Sequence, residues 1–504
     1  MSPLKNANLR TILRTVGVVL PAVGLMAIAS IVISVIFGET YAIPPLLLTA
    51  ALSFALGGAL YFRFRSADAP QLRHALVAAA IAWALAMFLG ALPFYLTAHL
   101  VPTGIEADNT ELSYFRDMTN CFFESVSGFS TTGLTMSPRP IDLPRTLQWW
   151  RTLSQWIGGL GIVALMLALV GGPGTQTSVL FFAEREDRTH PSILSTVRTL
   201  WWLYVSYTVV GIMALWIAKM PLWDSLNYSM TALATGGFAL DPTSVAAYDS
   251  LTVEMILVVL MLMGGMNYAV HFQIVRGRGN LLWREPQTRA FLLLAVFWFV
   301  ALFAENLVAL AAVPLGDVAR LSFFQSVSAM TTTGFQTTMS LSAWSGTAKL
   351  ILVAAMFLGA SAGSTGGGIK VARGQTIVHG LRWQLRRALV GRSVVVPLQS
   401  NRHSASDEEA HEQLQAATQL AFLWIGAIAI GVVALLHTVP QGWTLGDVVF
   451  EVTSAQSNVG LSTGITGPTM STWAKIVLSV SMFTGRLEII PTLLFFHALL
   501  RRFR

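Results

Sequence analysis

Apolar runs of about 20 residues recur from one end of this chain to the other, each long enough to cross the hydrocarbon core of a bilayer as a helix. They cover residues 11–37, 42–62, 74–99, 147–171, 196–218, 252–275, 289–313, 348–372, 416–438 and 473–498, ten spans in all. In hydrocarbon every backbone N–H and C=O must find its partner inside the protein, so such runs are read as helices and the chain as an all-α polytopic membrane protein. Only 11% of the residues are charged, less than half the share of an ordinary soluble enzyme. The first run is too long for a signal-peptide core and has no small-residue cleavage site, so it is expected to stay as a transmembrane helix. One cysteine, Cys121, leaves no internal disulfide and no thiolate metal cluster.

The net charge of +7 is not spread evenly. Scored by alternate loops, 23 of the 32 basic residues fall on one side, both termini included. The opposite side holds eight, among them Arg116, Arg139, Arg145 and Arg151, against 14 acids such as Glu39, Glu111, Glu124, Asp241, Asp447 and Glu451. Basic residues favour the cytoplasmic side, so both termini are read as cytoplasmic. Scattered between spans, these charges give no reason to expect nucleic-acid binding. An acidic outer vestibule would concentrate cations, although solvated loops carrying mixed charge would give the same count.

The decisive pattern is a word used four times. Residues 122–133 read FFESVSGFSTTG and residues 323–334 read FFQSVSAMTTTG, with LNYSMTALATGG at 226–237 and VFEVTSAQSNVG at 449–460 as weaker copies. Their aligned glycines are Gly133, Gly237, Gly334 and Gly460. Some 25 residues beyond each, a span carries a further glycine: Gly158, Gly264, Gly359 and Gly485. Each unit therefore reads as span, half-membrane stretch, glycine turn, span. Two full crossings per unit keep all four copies in one orientation, unlike the inverted repeats of many secondary transporters. Four parallel units around one axis describe a pore.

Non-helical backbone at membrane depth must be buried in protein or line a watery cavity. Glycine permits positive φ or close approach at an axis, and four loops at one depth can ring a dehydrated cation with carbonyl oxygens. The C-terminal ends of the half-helices add partial negative charge. Neutral oxygens suit a monovalent ion, whereas rings of Asp or Glu would suit a divalent one. The candidate filter residues are Thr131, Thr132, Gly133 and Leu134; Thr235, Gly236, Gly237 and Phe238; Thr332, Thr333, Gly334 and Phe335; and Asn458, Val459, Gly460 and Leu461. Small-residue helix packing is the competing account, disfavoured by repetition in register.

These words, with the loop GASAGSTGGGIK (359–370) and GRLE (485–488), resemble the Trk/Ktr/HKT superfamily of potassium transporters, most closely its TrkH type, from about residue 70 onward. The resemblance implies four pseudo-symmetric helix–pore loop–helix repeats around a central pore, preceded by two N-terminal transmembrane helices. It implies gated, channel-like potassium uptake across the bacterial inner membrane, with K⁺ as the transported ion and no covalent cofactor. It further implies a homodimer among membrane lipids and a separate cytoplasmic RCK-type nucleotide-binding subunit (TrkA-like), since no G-x-G-x-x-G fingerprint occurs here. The sequence departs from the family at G-R-L-E-I-I-P, where Glu488 stands in place of a small residue. The corresponding divisions are 1–68, the N-terminal pair; 69–173, repeat 1; 174–194, a cytoplasmic linker; 195–279, repeat 2; 280–373, repeat 3; 374–413, a basic cytoplasmic insert; and 414–504, repeat 4.

Glycines at 363, 366, 367 and 368 each cost a helix about 1 kcal/mol relative to alanine, so the eighth span is expected to unwind between Gly359 and Gly368. Gly363, Ser364, Thr365, Gly366, Gly367, Gly368 and Lys370 form the candidate gate loop, a role the resemblance assigns. Arg486 lies deep in a span, where a charge needs partners, and the resemblance makes it a pore-facing barrier. Glu305 reads as a polar packing contact. Enzymatic motifs fail on context: G359-A-S-A-G363 matches G-x-S-x-G but sits inside a helical span without His and acid partners, and GSTGGGIK lacks the G-K of a P-loop. Proton- or sodium-coupled secondary transport of K⁺ is the remaining alternative.

Overall fold

The computed structural model describes residues 3–68, 72–102, 110–170, 193–338, 341–389, 407–440, 442–487, 489 and 492–493. Among these residues the secondary structure is helical throughout, with no strand. α1 (Pro3–Val19) and α2 (Pro21–Ile36) run on from one another, because Leu20 keeps helical angles (φ −55°, ψ −38°). Pro21 at the first position of α2 costs little there. α3 (Ile43–Arg63) completes the N-terminal pair of spans.

The first unit comprises α4 (Leu72–Leu100), the short α5 (Thr110–Tyr114), α6 (Met118–Phe129) and α7 (Arg145–Val170). The second comprises α8 (Ile193–Ile217), α9 (Leu222–Leu233), α10 (Leu251–Gly265) and α11 (Tyr268–Val275). After α12 (Leu281–Arg284), the third comprises α13 (Pro286–Ala309), α14 (Leu315–Met330), α15 (Gly346–Leu358) and α16 (Val371–Leu389). The fourth comprises α17 (Asp407–Leu436), α18 (Leu445–Gln456) and α19 (Thr472–Leu487). The largest apolar core joins α1–α4 to the first and fourth units, through residues such as Leu20, Phe94, Phe123, Trp150, Val452 and Met482.

Four helices, α6, α9, α14 and α18, have 12 to 16 residues, or about 18–24 Å of rise, too little to cross a core of about 30 Å. Asp117 starts α6 by accepting the Thr119 N–H, and Thr444 with Asp447 forms a reciprocal capping box on α18.

Not every expected span is one straight helix. Six helices among the described residues are long and apolar enough to cross a membrane, seven when the pair α10 and α11, bent by 107°, is taken as one span. Span 252–275 is therefore two helices. Gly264 and Gly265 weaken the helix there, Met266 leaves it (ψ 157°), and Asn267 starts α11 by accepting the Ala269 N–H at 2.8 Å. Span 348–372 ends as a helix at Leu358 and resumes at Val371. The proposed divisions at 373/374, 413/414 and 194/195 cut through α16, α17 and α8. The linker 174–194 falls mostly outside the described residues, as does Glu488.

Candidate functional site

Each short helix ends in the same reversal. The residue after the helix C-cap takes a left-handed conformation: Thr131 (φ 54°), Thr235 (52°), Thr332 (59°) and Asn458 (54°). The next amide bonds back to the carbonyl five residues earlier, Thr132 to Ser127, Gly236 to Thr231, Thr333 to Ser328 and Val459 to Ser454, all at 2.8–2.9 Å. That is the Schellman pattern, which normally calls for glycine or asparagine. Threonine is β-branched, so three of the four loops hold strain of about 1–3 kcal/mol each. The glycine, two residues after the left-handed one, again has positive φ: Gly133 (97°), Gly237 (71°), Gly334 (90°) and Gly460 (91°).

These glycines close a ring. A Cβ on Gly133 would overlap the carbonyl oxygen of Gly236; on Gly237, that of Thr333; on Gly334, that of Val459; and on Gly460, that of Thr132. Each loop thus leans on the carbonyl before the next loop's glycine, and the fourth leans on the first. No side chain fits at any of the four positions. Side chains brace the ring from behind: Gln155 donates to the Gly236 carbonyl (2.6 Å) and accepts the Phe238 N–H (3.0 Å), and Asn458 donates to the Thr132 hydroxyl (3.0 Å). Ser127 and Ser454 accept the Gly133 and Gly460 amides at 3.0 Å. Leu134, Phe238, Phe335 and Leu461 are buried.

Above the ring lies a cavity of about 190 Å³ with Gly133, Gly237, Gly334 and Gly460 in its lining. Its charged lining residues are Asp241 and Arg151, one of each sign, so the acidic excess counted for the outer face does not gather at this mouth. Those acids have structural work instead. Glu39 accepts the Arg145 and Thr146 amides at the start of α7, Glu111 accepts from Ser137, Asp447 pairs with Lys349 and Glu254 with Arg320. Arg151, counted among the outer loop charges, is buried against Glu124 at 2.6 Å.

Below the ring, Gly359 to Lys370 forms a non-helical loop laced to three units. Where α10 breaks, its freed carbonyls take up the loop: Gly265 accepts from the Ser361 N–H (2.9 Å) and Gly264 from the Thr365 N–H (3.2 Å), while Tyr268 donates its N–H to Gly363 (3.1 Å). Thr235 donates to the Thr365 hydroxyl (3.1 Å), and the Gly367 N–H donates to the Thr332 hydroxyl (2.6 Å). A Cβ on Gly367 would overlap the Ser457 carbonyl. So the loop touches the left-handed residue, or the one before it, in three of the four reversals. Lys370 (φ 84°) is buried, and its ammonium donates to the Gly366 carbonyl. Ser364 closes on the Ser361 carbonyl at 2.6 Å.

Arg486, 3% exposed, binds this loop directly. Its Nη1 donates to the Thr365 carbonyl (2.8 Å) and its Nη2 to the Gly158 carbonyl of α7 (2.7 Å). Glu305 accepts from Ser345 at 2.6 Å. The residues that sequence reading missed are Glu124, Arg151 and Gln155, which stand beside the ring; nothing in their spacing brings α6 and α7 together.

The family model for TrkH, described as a cation transport protein, matches residues 43–502. An uncharacterized cation transporter of Methanocaldococcus jannaschii is 29% identical, covering 98% of this chain and 97% of its own. The Trk system potassium uptake protein TrkH of Salmonella typhimurium is 31% identical, covering 89% and 90%. The crystal structure of the potassium transporter TrkH from Vibrio parahaemolyticus superposes with a TM-score of 0.83 at 27% identity, over 96% of this chain and 98% of that one.

Proposed function

This chain belongs to the TrkH family of cation transport proteins, and from that premise we propose that it takes up potassium through a gated, channel-like filter. The observation that carries the reading is the closed ring of four glycine loops at the floor of an outer cavity. The carbonyls of Thr132, Gly236, Thr333 and Val459 come together there, one from each unit, and the two glutamates of the short helices, Glu124 and Glu451, are taken up in protein hydrogen bonds. Neutral oxygens replace the hydration shell of a weakly hydrated monovalent cation, and four helix C-termini aim partial negative charge at it.

In this reading the ion sheds water at the ring, whose spacing is kept by loop-to-loop contact, and then meets the loop of Gly359 to Lys370. That loop closes the path, and Arg486 holds it through the Thr365 carbonyl while placing positive charge beside the conduit. Opening requires the loop to give up its bonds to Thr332, Gly264 and Gly265. The setting we propose is the bacterial inner membrane, with both termini cytoplasmic, a homodimeric assembly and a separate RCK-type nucleotide-binding subunit that drives the loop.

The test is growth of potassium-uptake-deficient bacteria at low potassium, with Gly133→Ser and Gly460→Ser variants beside the parent chain. The parent restores growth, and both variants lose uptake or potassium preference. Unchanged growth and unchanged preference for potassium over sodium in both variants would overturn the filter assignment.

A further inference from the structure

The four units are alike in backbone but not in what stands behind the ring. Seven residues before the second-helix glycine, units 2, 3 and 4 place Leu257, Leu352 and Leu478; three residues before it they place Met261, Met356 and Met482, all fully or almost fully buried. Unit 1 places Arg151 and Gln155 there, equally buried. A buried ion pair returns little net stability compared with apolar packing, and the other three units show that leucine fits this position. Arg151 therefore needs a reason other than packing.

Its contacts supply one. Arg151 Nε bonds Glu124 of α6 at 2.6 Å, Nη2 donates to the Thr135 hydroxyl just past Gly133 at 3.1 Å, and Nη1 donates to the Ala239 carbonyl just past Gly237 at 3.3 Å. The guanidinium lies 4.2 Å from the ring centroid of Phe238, the residue after Gly237, a cation–π contact. Glu124 in turn accepts the Thr135 hydroxyl and the Met136 N–H. One rigid fork thus ties the outer ends of loops 1 and 2 to each other, and Gln155, one turn further along α7, holds Gly236 and Phe238. Glu451 occupies the position of Glu124 in unit 4 but takes its bonds from Ser462, Thr463 and Thr466 instead, all within its own loop.

We propose that Arg151, held by Glu124, is a positioning residue that sets the gap between filter loops 1 and 2 and thereby the preference for potassium over sodium. The inference rests on reading the ring as a potassium filter. A flexible gap lets the ring shrink around the smaller ion, and a planar fork resists that where a leucine would not.

The test measures Rb⁺ and Na⁺ influx separately in potassium-uptake-deficient cells expressing the full chain. The variants are Arg151→Leu, Arg151→Lys and the pair Glu124→Gln/Arg151→Leu, which copies the Gln325/Leu352 combination of unit 3 and leaves no unpaired charge. The account predicts normal membrane yield and a melting temperature close to the parent's for the pair, with a preference for Rb⁺ over Na⁺ at least about fivefold lower, the size of a change near 1 kcal/mol. Arg151→Lys, keeping the charge without the fork, falls between. An unchanged ratio in a folded pair variant, whatever its rate, overturns the proposal, as does failure of that pair to fold, which would assign Arg151 to stability. Gly133→Ser run alongside separates the two levels: if it changes the ratio and the pair does not, the filter stands and this role falls; if neither changes it, the filter reading itself fails.

Discussion

The second helices of units 1 and 3 reach the ring with a glycine at the same place and then part ways. On α7, Gly158 packs so tightly on the Phe129 carbonyl that a Cβ would overlap it, and the helix continues to Val170. Gly485 repeats this against the Gln456 carbonyl and Gly264 against that of Leu233. On α15, Gly359 instead turns to φ 69° and packs on Gly367 and Gly368, and Gly366 returns to stand beside the Thr331 carbonyl. The residues after each glycine decide the outcome: Gly158 is succeeded by Gly-Leu-Gly-Ile-Val-Ala-Leu, Gly359 by Ala-Ser-Ala-Gly-Ser-Thr-Gly-Gly-Gly. Four glycines within six residues remove about 4 kcal/mol of helix propensity, and the loop recovers bonds from the broken end of α10. The same position serves as a packing joint in one unit and as the start of a non-helical loop in another.

The largest effect that separates the two is expected from Gly158→Ala. Its Cβ has a helix on one side and a carbonyl on the other, so the overlap costs at least about 2 kcal/mol, read as a lowered melting temperature and reduced folded yield. Gly367→Ala overlaps a carbonyl too, but it sits on a loop that can shift, so the protein stays folded and resting Rb⁺ flux rises. A greater stability loss in Gly367→Ala than in Gly158→Ala would break the comparison. Next in size is Thr365→Val. It removes a buried hydroxyl that accepts from Thr235 and lies within bonding distance of the Leu233 and Gly264 carbonyls. A loss of about 1–3 kcal/mol from the loop's closed position raises flux without regulator at least fivefold, and flux equal to the parent's would show that the loop is not held there. The smallest effect belongs to Gly426→Ala in the middle of α17, where a Cβ meets nothing within 4 Å. Thermal melting should show a gain of about 0.5–1 kcal/mol; a destabilised variant would mean that glycines in this protein are costly to replace even without a neighbour.

The repeats and their glycines are legible in the sequence because the same short word recurs four times and needs no knowledge of the fold. The loop after Gly359 is legible because propensity there is extreme. The break in α10 is harder to see: Gly264-Gly265-Met266-Asn267 carries two glycines, as does Gly158-Gly159, yet α7 passes through its pair as a helix. The difference lies in the partner, since the loop from unit 3 supplies donors to the carbonyls that the break exposes. The left-handed threonines are hidden for a physical reason as well: β-branching argues against positive φ, and only the surrounding ring imposes it. Arg151 and Glu124, 27 positions apart, read as outer loop charges until α6 and α7 pack side by side.

The central claim is that the four loops form one cation site. Crystals grown in Rb⁺ and measured at the rubidium edge test it most directly. The account predicts an anomalous peak on the axis between the loops of Gly133, Gly237, Gly334 and Gly460, absent when Rb⁺ is replaced by Na⁺. Rubidium density elsewhere in the membrane region with none between those four loops would contradict it.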